Sequence, residues 1–112
     1  MNRSPITTHV LDTAAGRPAA GIRVDLFRRD GESLIAVGSG VTDADGRIAE
    51  GLIDVAAFRP GTYRIVFATG EYLGKDAFYP TVTIDFAVAE NEPHYHVPVL
   101  LSPFGYSTYR GS

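Results

Sequence analysis

Apolar and polar residues alternate with a period of two along most of the chain, the pattern of strands whose side chains point to opposite faces. Ile22, Val24 and Leu26 alternate with Arg23, Asp25 and Phe27. Asp30-Gly31 then predicts a hairpin turn into a second strand over Leu34–Val41. Tyr63–Ala68 follows the turn signal Pro60-Gly61. Val82, Ile84, Phe86 and Val88 alternate with Thr81, Thr83, Asp85 and Ala87, and Tyr95, Val97, Val99 and Leu101 with His96, Pro98 and Leu100. Their β-branched and aromatic content suits pleated, half-buried surfaces. Only Thr69–Phe78 reads as helical, with Thr69 as its cap and Gly74 limiting it to a turn or two.

Short strands divided by turns predict an all-β fold, an antiparallel two-sheet sandwich with one short helix, in a single domain over residues 1–112. No linker, internal repeat or low-complexity tract divides the chain. The same pattern suits an immunoglobulin-like domain, so fold alone assigns no function.

Composition narrows the options. With 112 residues, 45% hydrophobic and 21% charged, the chain is long enough to bury a modest core without staples. A net charge of −3 argues against a nucleic-acid partner, and Arg28-Arg29 reads as a solvated hairpin end. The absence of cysteine excludes disulfides, thiolate metal sites and cysteine nucleophiles. Met1–His9 holds no apolar core of a signal peptide, and no apolar run approaches the ~18 residues of a membrane span. The final Arg-Gly-Ser is no peroxisomal address. These features predict a cytoplasmic protein without a membrane partner.

Strand faces locate the candidate chemistry. In the first strand, Ile6, Thr8 and Val10 share one face and Thr7, His9 and Leu11 the other. If Tyr95, Val97, Val99 and Leu101 pack inside, His94, His96, Pro98 and Leu100 point outward. Imidazole titrates near neutrality, so one histidine can take a proton from water while another orients a substrate. Leu11 and Leu100 beside them hint at a covered face between subunits. Spacing alone does not separate this reading from three scattered polar histidines.

Metal binding is a weaker use. His94 and His96 reach one face, but no carboxylate or cysteine stands at matching spacing. Thr42-Asp43-Ala44-Asp45-Gly46 superficially matches a calcium loop, yet aligning its glycine puts Val41 and Leu52 where acidic ligands belong. Asp45-Gly46 therefore reads as a turn. Arg47 at its exit is either a plain surface cation or a planar donor fork for an oxygen-rich substrate. Gly38-Ser39-Gly40 is too short for a nucleotide motif, and Ser39 reads as a strand or bend residue.

The chain finishes Ser102-Pro103-Phe104-Gly105-Tyr106-Ser107-Thr108-Tyr109-Arg110-Gly111-Ser112. Chain ends usually fray, so a tail rich in aromatics is expected to dock against something. This tail, with Thr8–Gly21 leading into Val24-Asp25-Leu26, Thr42–Arg47, Tyr79-Pro80 before the strand Val82–Val88, and His94-Tyr95-His96-Val97-Pro98, resembles the transthyretin-like 5-hydroxyisourate hydrolases. The resemblance spans nearly the whole chain, and the first motif with the complete Tyr-Arg-Gly-Ser end is its most specific part. Transthyretin, the hormone carrier, shares the strand pattern but lacks this combination of histidines and tail.

The resemblance implies a homotetramer, a dimer of dimers with active sites in a central channel. It implies catalytic roles for His9, Arg47, His96 and Ser112, and substrate binding by His9, Arg47, Tyr109, Arg110, Gly111 and Ser112. His94 is not carried over. The implied reaction is cofactor-free and metal-free hydrolysis of 5-hydroxyisourate in purine breakdown. The alternatives are a transthyretin-like carrier of a small ligand, or a monomeric interaction module.

Overall fold

Two four-stranded sheets pack face to face, each burying the apolar face that the alternation predicts. In the computed structural model, which describes residues 4–112, the strands are β1 (Ile6–Asp12), β2 (Arg17–Pro18), β3 (Arg23–Asp30), β4 (Ser33–Val41), β5 (Gly61–Phe67), β6 (Val82–Val88), β7 (Tyr95–Ser102) and β8 (Gly105–Thr108). Residues 1–3, which belong to the expected domain span and to the stretch read for a signal peptide, lie outside the described residues. One sheet has the order β2-β1-β7-β8 and the other β4-β3-β5-β6. All pairs are antiparallel except β1 with β7, which run parallel from Ile6↔Tyr95 to Asp12↔Leu101.

The core lies between the sheets. Ile6, Val10, Val99 and Leu101 come from one, and Val24, Leu26, Tyr63, Ile65, Phe67 and Val82 from the other. Each such side chain contributes about 1.5–3 kcal/mol through burial. Buried and half-buried residues alternate strictly along β1, which fixes Thr7, His9 and Leu11 on its outer face. Tyr95, Val97, Val99 and Leu101 are all buried, as their stripe predicts.

Three local expectations shift. The β3–β4 hairpin closes with Asp30↔Ser33, so its loop is Gly31-Glu32, one residue later than predicted. Gly31 has φ +63°, and a positive φ at the first loop position matches the right-handed twist of the strands. The helix α1 covers only Thr69–Leu73, and a 3-10 turn over Gly74–Asp76 follows. Thr69 does not cap it: Ala68 holds that position, and the Thr69 hydroxyl donates to the Tyr79 carbonyl at 2.7 Å. Ser39 lies within β4, as read.

The helix is tied to the end of β1. The Tyr72 hydroxyl donates to Asp12 Oδ2 at 2.6 Å, and the Ala15 N–H donates to Asp12 Oδ1 at 2.9 Å. These donors, the Tyr72 hydroxyl foremost, hold the buried Asp12 carboxyl below its ordinary pKa. No helix among the described residues is long and apolar enough to cross a membrane.

Candidate active site

Arg47 reaches the first strand through a turn that its own sequence dictates. Asp43 Oδ1 accepts from the N–H groups of Asp45 at 2.9 Å and Arg47 at 3.1 Å, while the Gly46 N–H donates to the Asp43 carbonyl at 2.9 Å. A short acidic side chain followed by glycine is suited to this local bonding. Gly46 is buried with φ +75°, and a Cβ there would collide with the Val10 carbonyl and stand 3.3 Å from His9 Cδ2. The Val10 N–H donates to the Gly46 carbonyl at 2.9 Å, and Arg47 forms an antiparallel bridge with His9. Arg47 and His9 are thus neighbours on the outer face of one sheet.

The parallel register adds His96 to that face. Thr7 stands opposite His96 and His9 opposite Pro98. Strand geometry therefore separates the Cα atoms of His9 and His96 by about 8 Å, one strand across and two residues along. The Thr7 Oγ1 lies 2.8 Å from His96 Nδ1 and 3.2 Å from His94 Nε2. His9, His96 and Thr7 are half-buried, and Arg47 is exposed.

The tail extends β8 past its last assigned residue. Val99 pairs with Thr108 and His96 with Gly111, the same antiparallel register carried three residues further. That register sets Tyr109 opposite Pro98, which has no N–H to donate, so the ladder is interrupted there. It resumes where the Gly111 N–H donates to the His96 carbonyl at 2.9 Å. A Cβ on Gly111 would stand 2.5 Å from His96 Cδ2, so only glycine lets the tail lie this close to the ring. The tail is docked, as expected, and its support is the histidine strand itself.

Paired residues share a face, so Arg47, His9, Pro98 and Tyr109 form one row across the outer surface, with Thr7, His96 and Gly111 in the next. The same register sets Arg110 opposite Val97, so its side chain turns to the other face of the strand. Its guanidinium lies 4.5 Å from the centroid of the Tyr95 ring and pairs with Glu92 at 3.6 Å. It lines a cavity of about 240 Å³ with Ile84, Tyr95 and Val97, and His96 and Tyr109 border the same cavity. The Arg110 side chain therefore anchors the tail, while Ser112 follows Gly111 as an exposed residue. A larger hollow of about 490 Å³, between Ser4, Gly38, Glu50 and Leu52, holds none of the expected site residues.

This surface brings two imidazoles, one guanidinium and one phenol together. Such a set can move protons near neutral pH and stabilise a developing oxyanion. Among the described residues, no group of three His, Cys, Asp or Glu side chains could hold a metal ion. The residue missed from sequence was Thr7. Its position beside His9 on the outer face was legible, but its contact with His96 depends on a pairing 89 residues apart.

Comparison with known proteins identifies the family. Residues 6–111 match the model of the HIUase/Transthyretin family. The chain is 47% identical to 5-hydroxyisourate hydrolase 2 of Rhizobium meliloti (strain 1021), over 96% of this chain and 95% of that one. The solved 5-hydroxyisourate hydrolase of Klebsiella pneumoniae superposes with a TM-score of 0.82 at 36% identity, over 98% of this chain and 100% of that one. Transthyretin from Sparus aurata superposes with a TM-score of 0.90 at 32% identity, over 97% of both chains. The chain belongs to the HIUase/Transthyretin family.

Proposed function

We infer that this chain hydrolyses 5-hydroxyisourate, a step of urate degradation, yielding 2-oxo-4-hydroxy-4-carboxy-5-ureidoimidazoline. Relatives named for this hydrolase cover nearly the whole chain at 42–50% identity. The observation that carries the reading beyond shared fold is the pair of backbone bridges, His9↔Arg47 and His96↔Gly111, on one sheet face. Both bridges draw distant segments to the histidines, which a sandwich does not require for stability alone.

In the proposed mechanism a histidine, His9 or His96, takes a proton from water as its oxygen attacks the ring carbonyl. The carbonyl oxygen becomes an oxyanion, and the Arg47 guanidinium offsets its charge. The C–N bond of the six-membered ring then breaks, and the proton passes to the departing nitrogen. Tyr109, Ser112 and the tail backbone orient substrate or water. Arg110 acts indirectly, by holding the tail over Tyr95. The reading needs no cofactor.

We further propose that the site is completed by assembly into a homotetramer, a dimer of dimers. The histidine face is open to one side, and Leu11 and Leu100 lie beside it with half-buried apolar surface. A carrier reading has the fold in its favour, but charged and imidazole groups at the centre of the face suit chemistry better than an apolar ligand. The test is the ultraviolet decay of 5-hydroxyisourate, generated in place by urate oxidase, with and without the protein. Accelerated decay supports the hydrolase, and decay at the spontaneous rate in the presence of folded protein refutes it.

A further inference from the structure

We propose that Thr7 is a positioning residue for His96, and that His94, Thr7 and His96 form a proton relay behind the catalytic face. The proposal rests on the hydrolase reading above. Its geometry is direct. Thr7 stands opposite His96 in the parallel register, and its Oγ1 is 2.8 Å from His96 Nδ1. His94 lies two residues before His96, and its Nε2 is 3.2 Å from the same oxygen. One hydroxyl thus joins two imidazoles.

A hydroxyl has one proton to donate. With both contacts made, one ring nitrogen accepts that proton and the other donates its own to Oγ1. The two histidines are therefore locked in linked tautomers. In one arrangement His94 Nε2–H donates to Thr7, and Thr7 donates to His96 Nδ1, which leaves the His96 proton on Nε2. In the other, His96 Nδ1–H donates to Thr7 and Thr7 donates to His94 Nε2. Only the second makes His96 Nε2 a base, because the tautomer of a histidine is set by the bond its other nitrogen makes.

From that state the relay balances. His96 Nε2 takes a proton from water, the Nδ1 proton passes to Thr7 Oγ1, and the Thr7 proton passes to His94 Nε2. His96 ends neutral, Thr7 is restored, and the positive charge rests on His94. Reversing the three shifts returns a proton to the departing nitrogen of the substrate. His94 then acts as the proton store of the reaction, a role distinct from that of a neighbouring surface group.

The test compares Thr7→Val, Thr7→Ser and His94→Gln. Thr7→Val removes the hydroxyl on a strand that tolerates valine, and kcat should fall roughly 10- to 100-fold with KM within about threefold. Thr7→Ser restores the hydroxyl and should return kcat to within about threefold of the parent. His94→Gln keeps a hydrogen bond but cannot store a proton, and kcat should fall roughly tenfold. Full activity in Thr7→Val or in His94→Gln overturns the proposal, as does a Thr7→Val loss that serine does not repair. If Thr7→Val fails to fold, His94→Gln and Thr7→Ser decide. Nitrogen-15 NMR of the histidine rings reads the relay without turnover. Wild type should show His96 protonated at Nδ1, and Thr7→Val should shift the signals of both rings. Unchanged rings overturn the relay, whereas loss of the hydrolase reading would show only as an inactive wild type.

Discussion

Gly111 lies against the ring of His96, its N–H bonded to the His96 carbonyl at 2.9 Å and an added Cβ placed 2.5 Å from Cδ2 of the ring. The tail and the histidine therefore hold each other in place. Gly111→Ala must push either the tail or the ring aside. Steady-state kinetics should show kcat reduced roughly 10- to 100-fold, since small displacements of a reacting group have effects of this size. The melting temperature should change little, because Gly111 itself is not among the buried core residues.

Gly46 does the same for His9, with a larger structural cost. Its φ of +75° and the nearby Val10 carbonyl exclude a side chain. Gly46→Ala should destabilise the fold by about 1–3 kcal/mol in denaturant unfolding. It should also lower activity in the folded fraction, because the turn that brings Arg47 to His9 is displaced.

Arg47→Lys separates charge from shape. Lysine keeps the positive charge but loses the planar fork of donors. If Arg47 meets an oxyanion through that fork, kcat should drop about 100-fold, the size of effect seen when one such donor is lost. A lysine variant with full activity would reduce Arg47 to a general surface cation.

Asp12 makes stability depend on pH. The Tyr72 hydroxyl is the main cause holding its carboxyl below the ordinary value. A depressed pKa contributes stability that is present above the unfolded value of about 3.9 and is lost as pH falls through the folded value. Tyr72→Phe should therefore cost about 1.5–3 kcal/mol at pH 7, the range for a hydrogen bond to a charged group. The difference from wild type should shrink as pH falls below about 4. Thermal melts from pH 7 to pH 3 check both the size and the direction.

The sequence made the faces legible but not the partners. Alternation put His96 opposite the apolar stripe of Val97 and Val99 and split the first strand into an Ile6–Val10 face and a His9 face, because a period of two is local to each strand, but that mixed strand did not itself say which face is buried. The turn at Asp45-Gly46 was legible for the same reason: its chemistry lies within five residues. What brings Arg47 to His9, Thr7 to His96 and Gly111 back to His96 is register between distant strands, which no local pattern encodes. Arg110 shows the limit. The tail motif grouped it with Tyr109 and Gly111, but alternation along the tail turns it to Tyr95 on the other side. Thr69 was misread as a cap because a more distant acceptor, the Tyr79 carbonyl, takes its hydroxyl.

We propose that the two outward histidines perform the hydrolysis. The most direct test measures the decay of 5-hydroxyisourate with equal amounts of folded wild type, His9→Ala and His96→Ala, each corrected for spontaneous breakdown. Wild type should accelerate the decay, and each variant should lose roughly 10²-fold or more of that rate. Wild-type rates in both variants, with the fold intact, would contradict it.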